Sequence, residues 1–363
     1  MNKFLEKRYA LLGKTGHKSN DFTLRLRRAF TNPINHFLLF LFAIWIVGDL
    51  SVSKVLPYSF QSAFAITFAY SIASVGFCLL MGYSGLASLG TGGFIGIGTY
   101  SVYYIMHESG MRFWVAIFVA LFVAALIGVI VGFISLRIEG IYLVILTLGL
   151  SEILRNLYMV IEDRIRMSNF TILNGMVIKR QFSIFIVAVA LVAVMIITHN
   201  IINSPTGRAM LAMKNSTAAS QAMGISLLKY RLMAFVICTM YAALAGVMLM
   251  ITQRSAMASD GNGFYALITS LNILAAVIIG GYKSIWGSVF GTFVMYGMQT
   301  VVFNRIEFLQ KNPVIITFAS GILVILVVMF YPGGLAQLIT ELKGKIKKLR
   351  IKMREARYGK DLG

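Results

Sequence analysis

Charged side chains are scarce in this chain, at 13% of 363 residues, while hydrophobic residues make up 58% and the mean hydropathy is +0.80. Too little polar surface exists to cover a core of that size, which excludes a soluble globule and leaves a polytopic membrane protein. Cysteine is nearly absent. Cys78 and Cys238 fall in apolar runs with no metal or redox spacing, so they read as packing residues. The four histidines, His17, His36, His107 and His199, lack any paired ligand spacing, so neither a metal nor a cofactor is expected. A phosphate loop is missing as well. Gly13-Lys14-Thr15 resembles the end of one, but Arg8 stands where the leading glycine is required and no strand precedes it. The chain is therefore not expected to be an enzyme, and any transport it performs must draw on a separate ATPase or an ion gradient.

Apolar runs are what the chain has in abundance. A hydrocarbon core about 30 Å thick needs roughly 20 apolar residues per helix, so the expected fold is all-α, a polytopic transmembrane helix bundle of about ten spans. The runs lie near 37–55, 60–81, 89–106, 114–136, 141–161, 182–201, 232–251, 266–281, 286–302 and 314–331. The third, eighth and ninth are short and riddled or bordered by glycine, which marks them as candidates for broken or re-entrant helices.

Acids are the rarest charge, 13 against 33 Lys and Arg, and the resulting +20 is concentrated. Residues 1–36 and 341–363 each carry +6 and residues 204–231 carry +4, together +16. An even number of spans puts both termini and the 204–231 island on one side, and the Lys/Arg excess makes that side the cytoplasm, N-in and C-in. Three parts follow: a basic N-terminal segment at 1–36 with no cleavage expected, a transmembrane domain at 37–335, and a basic tail at 336–363. The clustered cations of the tails suit the anionic surface of the lipid bilayer, and no nucleic acid is expected. Residues 162–180 hold Arg164, Arg166, Lys179 and Arg180 yet fall outside, which requires an external cap or a miscounted span.

The island itself contains no acid and has helical grammar. Pro205 suits a first helical turn, Asn215 or Ser216 can cap a second helix, Ser226 a third, and Gly224 fits a left-handed C′ position. Met210, Leu211, Met213, Ala218, Ala222 and Met223 give these short helices a greasy side, so they should lie on a surface. Composition alone leaves a plain cytoplasmic loop and a docking element both open.

Glycine is the informative residue within the membrane. The stretch 82–100, GYSGLASLGTGGFIGIGTY, destabilises a regular helix interior but permits close backbone approach. Gly92 and Gly96 with the small residues between them form one packing face, and Ser84, Ser88 and Thr91 add polar groups. Tight packing and a broken helix lining a cavity both fit. Gly280, Gly281, Gly287 and Gly291 make a second station, and Gly128 with Gly132 another small-residue face. Glu152 is the acid nearest the middle of an expected span. Arg155 follows at i+3, so the two should pair or face water. As a proton relay Glu152 would favour an ion-coupled secondary transporter.

Five motifs in order resemble the permease subunits of branched-chain amino acid ABC importers, specifically the longer of the two paired permeases. They are the glycine stretch at 82–100, LRIEGIYLVILTLGLSEILRNL at 136–157, SPTGRAMLAMKNSTAASQAMGISLLKYRLMAFV at 204–236, AVIIGGYKSIWGSVFG at 276–291 and FYPGGL at 330–335. The resemblance implies that 204–231 is the segment that couples to an ATP-hydrolysing subunit, through Gly207, Arg208, Ala218, Ala219, Ala222, Met223 and Gly224. The glycine stations and the intramembrane acid place the expected translocation pathway at Ser84, Gly85, Ser88, Gly90, Thr91, Gly92, Gly93, Gly96, Glu152, Gly280 and Gly281. The resemblance also implies a second permease subunit, two ABC ATPase subunits, an extracytoplasmic solute-binding protein and a bacterial cytoplasmic membrane. Relatives of this architecture carry urea, amides, nucleosides or simple sugars as well as amino acids. The chain departs from the family where acids usually occur, with Asn215, Ser216 and Gln221 instead, and where Thr91 replaces a frequent histidine.

Overall fold

The computed structural model describes residues 58–135, 141–166, 183–259 and 263–297, with 40–41 and single positions between 318 and 341. Apart from those isolated positions, the expected first and tenth spans and both tails lie outside the described residues, as does 167–182.

Helix α1 (Tyr58–Leu79) closes in a π-helical turn at Leu80–Ser84, and α2 (Thr91–Val102) runs into another at Tyr103–Glu108. Next come α3 (Phe113–Ser135), α4 (Ile141–Glu162), α5 (Ser183–Asn203), α6 (Pro205–Asn215), α7 (Thr217–Ala222) and α8 (Leu227–Gln253). After them come α9 (Leu267–Gly280) and α10 (Ile285–Thr292), the latter continuing into a π turn at Phe293–Gly297. Among the described residues five helical stretches are long and apolar enough to cross a membrane: Phe60–Ser84, Phe113–Ser135, Tyr142–Glu162, Ser183–Asn203 and Leu227–Gln253.

Two expected spans are not single helices. In the third the backbone is irregular as far as Gly90 and helical only from Thr91. The ninth gives way after eight residues to its π turn. A third correction concerns the island. The seventh span starts at Leu227, so Lys229 and Arg231 belong to its first turns, and Ser226, although at its N-cap, makes no side-chain cap bond. The apolar run of α8 continues upstream past two cations because long basic stems can lie along a helix while their heads reach water.

Burial sorts the helices into centre and rim. The apolar windows of α1 and α8 are 83% and 78% buried, against 22% for both α3 and α4. Helix α3 shows how sequence chooses its inner face: Ala116, Ala120, Ala124, Gly128 and Gly132 point inward at four-residue spacing, while Phe118, Phe122, Ile130 and Phe133 are exposed. Lipid tails are as apolar as leucine, so small residues gather where helix backbones approach and large ones face outward. Thr239 of α8 donates to the Ala124 carbonyl at 3.3 Å through the space beside Gly128.

Helix α2 is buried on every side. Its glycines do not share a face as expected. Gly92 abuts Ala266 and Ser270 beside α9, Gly93 and Gly96 abut Ser151 and Tyr158 of α4, and Gly98 abuts Ala243 of α8. A helix enclosed by α3, α4, α8 and α9 needs small residues around its whole circumference, which a single-stripe pattern does not describe.

Two short antiparallel strands, β1 (Arg164–Arg166) and β2 (Ser255–Met257), pair Ile165 with Ala256 and tie the end of α4 to the end of α8. Asp163 reinforces the tie by accepting from the Ser259 amide at 2.7 Å and its hydroxyl at 2.9 Å. This small cap sits at the end of α8 opposite α6 and α7, so the basic stretch beginning at 162 starts as a folded cap.

Candidate functional site

The N-terminus of a helix leaves amides without intrahelical partners, and inside a membrane no bulk water can satisfy them. Helix α2 begins buried, with Gly90 at its N-cap, and glycine offers no side chain to cap it. Neighbouring helices supply the acceptors. Thr147 Oγ1 accepts from the Leu89 amide at 3.0 Å, Ser151 Oγ from Gly93 at 2.9 Å and Ser270 Oγ from Gly92 at 2.8 Å. Ser88 Oγ accepts from Gly90 at 3.2 Å. Four hydroxyls from three parts of the chain thus surround one break in the backbone. A Cβ on Gly93 would stand 2.9 Å from the Ser151 Cα and one on Gly92 3.1 Å from the Ala266 carbonyl oxygen, so glycine lets the acceptors come this near.

Of the expected pathway residues, Ser88, Gly90, Thr91, Gly92, Gly93 and Gly96 gather here, and Thr91 is buried within the first turn of α2. Ser84 and Gly85 lie a few residues earlier, where α1 ends. Ser84 is buried, its hydroxyl without a partner among the described residues, and Gly85 takes φ +75°, a conformation glycine alone adopts without strain. Gly280 and Gly281 end α9, where a side chain on Gly280 would fall on the Gly287 carbonyl and Gly334 packs against the Gly281 backbone. Glu152 stands apart. It is half-exposed and accepts from Arg155 Nη1 at 2.9 Å, while Arg155 Nε donates to the Ala258 carbonyl, also at 2.9 Å. Sequence reasoning missed Thr147, Ser151 and Ser270. Their signal was hydroxyls on apolar helices, which is common enough to pass unnoticed.

The Arg155 bonds yield a first prediction. Arg155→Met should loosen the backbone that follows β2 and lower thermal stability more than Glu152→Gln does, because the arginine donates to Glu152 and to the Ala258 and Ser259 carbonyls, whereas the carboxylate pairs with Arg155. Equal melting of the two variants in detergent would remove this account.

The island resolves into two helices with unlike surroundings. Ser204 Oγ accepts from the Gly207 amide at 3.4 Å to start α6, and Ser216 Oγ accepts from Ala219 at 3.2 Å to start α7. Gly224 follows α7 with φ +78°. The greasy side expected for both belongs to α6: Gly207, Met210 and Met213 are buried against the protein. In and after α7, Ala218, Ala219, Ala222 and Met223 are exposed, Met223 to 82%. Arg208 is exposed and donates to the Asn203 carbonyl at 3.0 Å.

Lys214, in the last turn of α6, turns back into the protein. Its Nζ donates to the Met81 carbonyl at 3.0 Å and to the Gly82 carbonyl at 2.8 Å, and sits 4.4 Å from the centroid of the Tyr282 ring. Burial lowers its pKa below the ordinary lysine value, and the charge of Lys283 adds to that shift. A cation at the C-terminal end of α1 meets carbonyls that the helix leaves unpaired. Lys214, which is not among the expected coupling residues, thus ties the end of α6 to the end of α1 beside Gly85.

A lateral cavity of about 710 Å³ between α3, α5 and α8 is walled by Trp114, Ile117, Phe185, Val189, Ile237 and Leu244. Such hydrocarbon walls offer little to orient a polar solute.

Long apolar helices around a buried, hydroxyl-capped break, with a polar helix pair at one end, define a polytopic membrane protein of the permease class. The chain belongs to the family described as branched-chain amino acid transport system, permease component, whose model matches residues 60–330. It is similar to the high-affinity branched-chain amino acid transport system permease protein LivM of Escherichia coli, 26% identical over 302 residues that cover 74% of this chain and 68% of that one. LivM of Salmonella typhimurium is 26% identical over 301 residues, with the same coverage. The probable ABC transporter permease protein YphD of Escherichia coli shares 26% identity over 125 residues, 34% of this chain and 36% of that one. No solved structure matches the chain significantly. The family is one of transport components and not of enzymes.

Proposed function

We propose that this chain is a permease subunit of an ABC importer in a bacterial cytoplasmic membrane. It forms part of the pathway for a small solute, branched-chain amino acids in the first place, and ATP is hydrolysed on two separate subunits. A second permease completes the pathway, and an extracytoplasmic solute-binding protein delivers the solute. Residues 204–231 face the cytoplasm with both termini, as the positive charge of these segments favours. The transmembrane domain covers 37–335, flanked by basic segments at 1–36 and 336–363.

The observation that carries this reading is the split character of the island. Helix α6 is anchored by Met210 and Met213, whereas α7 presents Ala218, Ala219, Ala222 and Met223 outward on an acid-free segment. An exposed apolar helix rimmed by polar residues suits a groove on another protein. Gly207 and Arg208 hold the entry to α6, and Gly224 fixes the exit from α7. The hydroxyl-capped break with Ser84, Gly85, Ser88, Gly90, Thr91, Gly92, Gly93 and Gly96, together with Gly280, Gly281 and Glu152, forms this subunit's share of the pathway. An ion-coupled mechanism with Glu152 as relay is less favoured, because its carboxylate is paired with Arg155.

Arg208→Ala and Gly224→Val test the reading in the full complex reconstituted in vesicles. Among the described residues nothing packs within 4 Å of a Cβ built on Gly224, so valine there perturbs the positive-φ exit and not the packing. Uptake driven by ATP should fall by about tenfold or more, with membrane insertion intact. Undiminished ATP-driven uptake in both variants, or uptake abolished by ionophore with ATP present, would sink it.

A further inference from the structure

Arg208 bonds only five residues away along the chain, but Lys214 reaches carbonyls 132 and 133 residues distant. Those carbonyls belong to the π turn that ends α1, immediately before the irregular backbone leading to the capped N-terminus of α2. The fit is close. The stem of Lys214 runs past Gly85, where an added Cβ would lie 3.2 Å from its Cγ.

The same π turn is locked to a third element, the turn between α9 and α10. A side chain on Gly82 would collide with the Tyr282 carbonyl oxygen. Cys78 Sγ donates to that same carbonyl at 3.3 Å, and the Tyr83 hydroxyl donates to the Lys283 carbonyl at 3.1 Å. The Lys214 ammonium closes the triangle by resting on the face of the Tyr282 ring. One cation thus holds the end of α6, the end of α1 and the 281–284 turn together. Gly281, with φ +103°, and Ser284, which caps α10 by accepting from Gly287, set the shape of that turn.

We infer that Lys214 is the positioning residue through which movement of the 204–226 helices reaches the translocation pathway, by gripping the Met81 and Gly82 carbonyls and the Tyr282 ring at once. This rests on the reading of that segment as the coupling segment. Helix α6, capped by Ser204 and anchored by Met210 and Met213, is stiff enough to act as a lever. A push on it is delivered at two places: the start of the irregular segment before α2, and the turn joining α9 to α10. Both adjoin the glycines of the expected pathway. Coupling needs an element with two arrangements, and the charge-assisted contacts of one lysine can be made and broken without disturbing the apolar core.

The test uses the complete transporter in vesicles, with its ATPase and binding-protein partners, and three forms of the chain: parent, Lys214→Met and Lys214→Arg. Methionine keeps an apolar stem beside Gly85 and removes the cation. Arginine keeps the cation and its donors. With Lys214→Met, solute uptake per ATP hydrolysed is expected to fall by about tenfold or more, while ATP hydrolysis by the assembled complex continues. Lys214→Arg should recover much of that ratio. A structural role alone would lower uptake and hydrolysis in step, leave the ratio unchanged and overturn the inference. An arginine variant no better coupled than methionine also counts against it. Failure of the wider reading looks different: the parent itself would then take up solute without ATP. Coupled uptake in both the parent and Lys214→Met removes Lys214 from the pathway of motion and leaves the importer assignment standing.

Discussion

Gly98→Val and Gly246→Val are each expected to melt the protein far below the parent, because these two glycines form one reciprocal crossing of α2 and α8. A Cβ on Gly98 would fall on the Ala243 carbonyl oxygen, and one on Gly246 on the Ile95 carbonyl oxygen. Both obstacles are backbone atoms inside regular helices, so no side-chain rotation can relieve the collision. The expected cost is at or above the upper end of the roughly 1–3 kcal/mol that overpacking a core usually imposes. Gly149→Val is the control, since among the described residues nothing packs within 4 Å of a Cβ there. The measurement is the thermal midpoint in mild detergent, followed by size-exclusion chromatography. If the Gly98 and Gly149 variants melt together, the crossing is not as close as described.

The second large effect is expected at the start of α2. Ser151→Ala and Ser270→Ala each strip the acceptor from a buried amide, that of Gly93 and that of Gly92. An amide left without a partner away from water costs about 1–3 kcal/mol, so the double variant should lose a substantial fraction of total stability. Ser101→Ala is the matched comparison. Its hydroxyl donates to the Ile97 carbonyl of its own helix, and removing it orphans no backbone donor. Hydrogen exchange over residues 89–94 should quicken in the double variant and stay slow in Ser101→Ala. Unchanged protection in the double variant would mean that the α2 amides find other acceptors.

These two predictions mark what was legible in the chain and what was not. The break before Thr91 was foreshadowed by glycine density at 82–100, because glycine weakens helices locally and the effect is read from neighbours in sequence. The two short helices of the island are likewise visible in Pro205, Ser216 and Gly224, all of which act within a single turn, whereas the Ser204 cap emerges only in the structure. The start of α8 at Leu227 was less legible, since Lys229 and Arg231 look like loop residues and become helical only because the helix extends beyond its apolar core. The spacing of Gly92 and Gly96 predicts one packing face, yet they meet different helices. Lys214 was one of four cations in the island, and nothing local distinguished it.

By itself the sequence determined the membrane class, the apolar runs, the acid-free island and its caps, and the glycine stations, because each follows from composition or from interactions within a few residues. Only the tertiary structure decided which hydroxyl caps which amide, which glycine receives which helix and which lysine reaches α1. Those pairings join residues 58 apart for Leu89 and Thr147, 132 for Gly82 and Lys214 and 178 for Gly92 and Ser270. Local preference cannot specify a partner at that range. The packing of whole helices brings such groups into contact, and the demand that every buried amide and carbonyl be satisfied then selects among them.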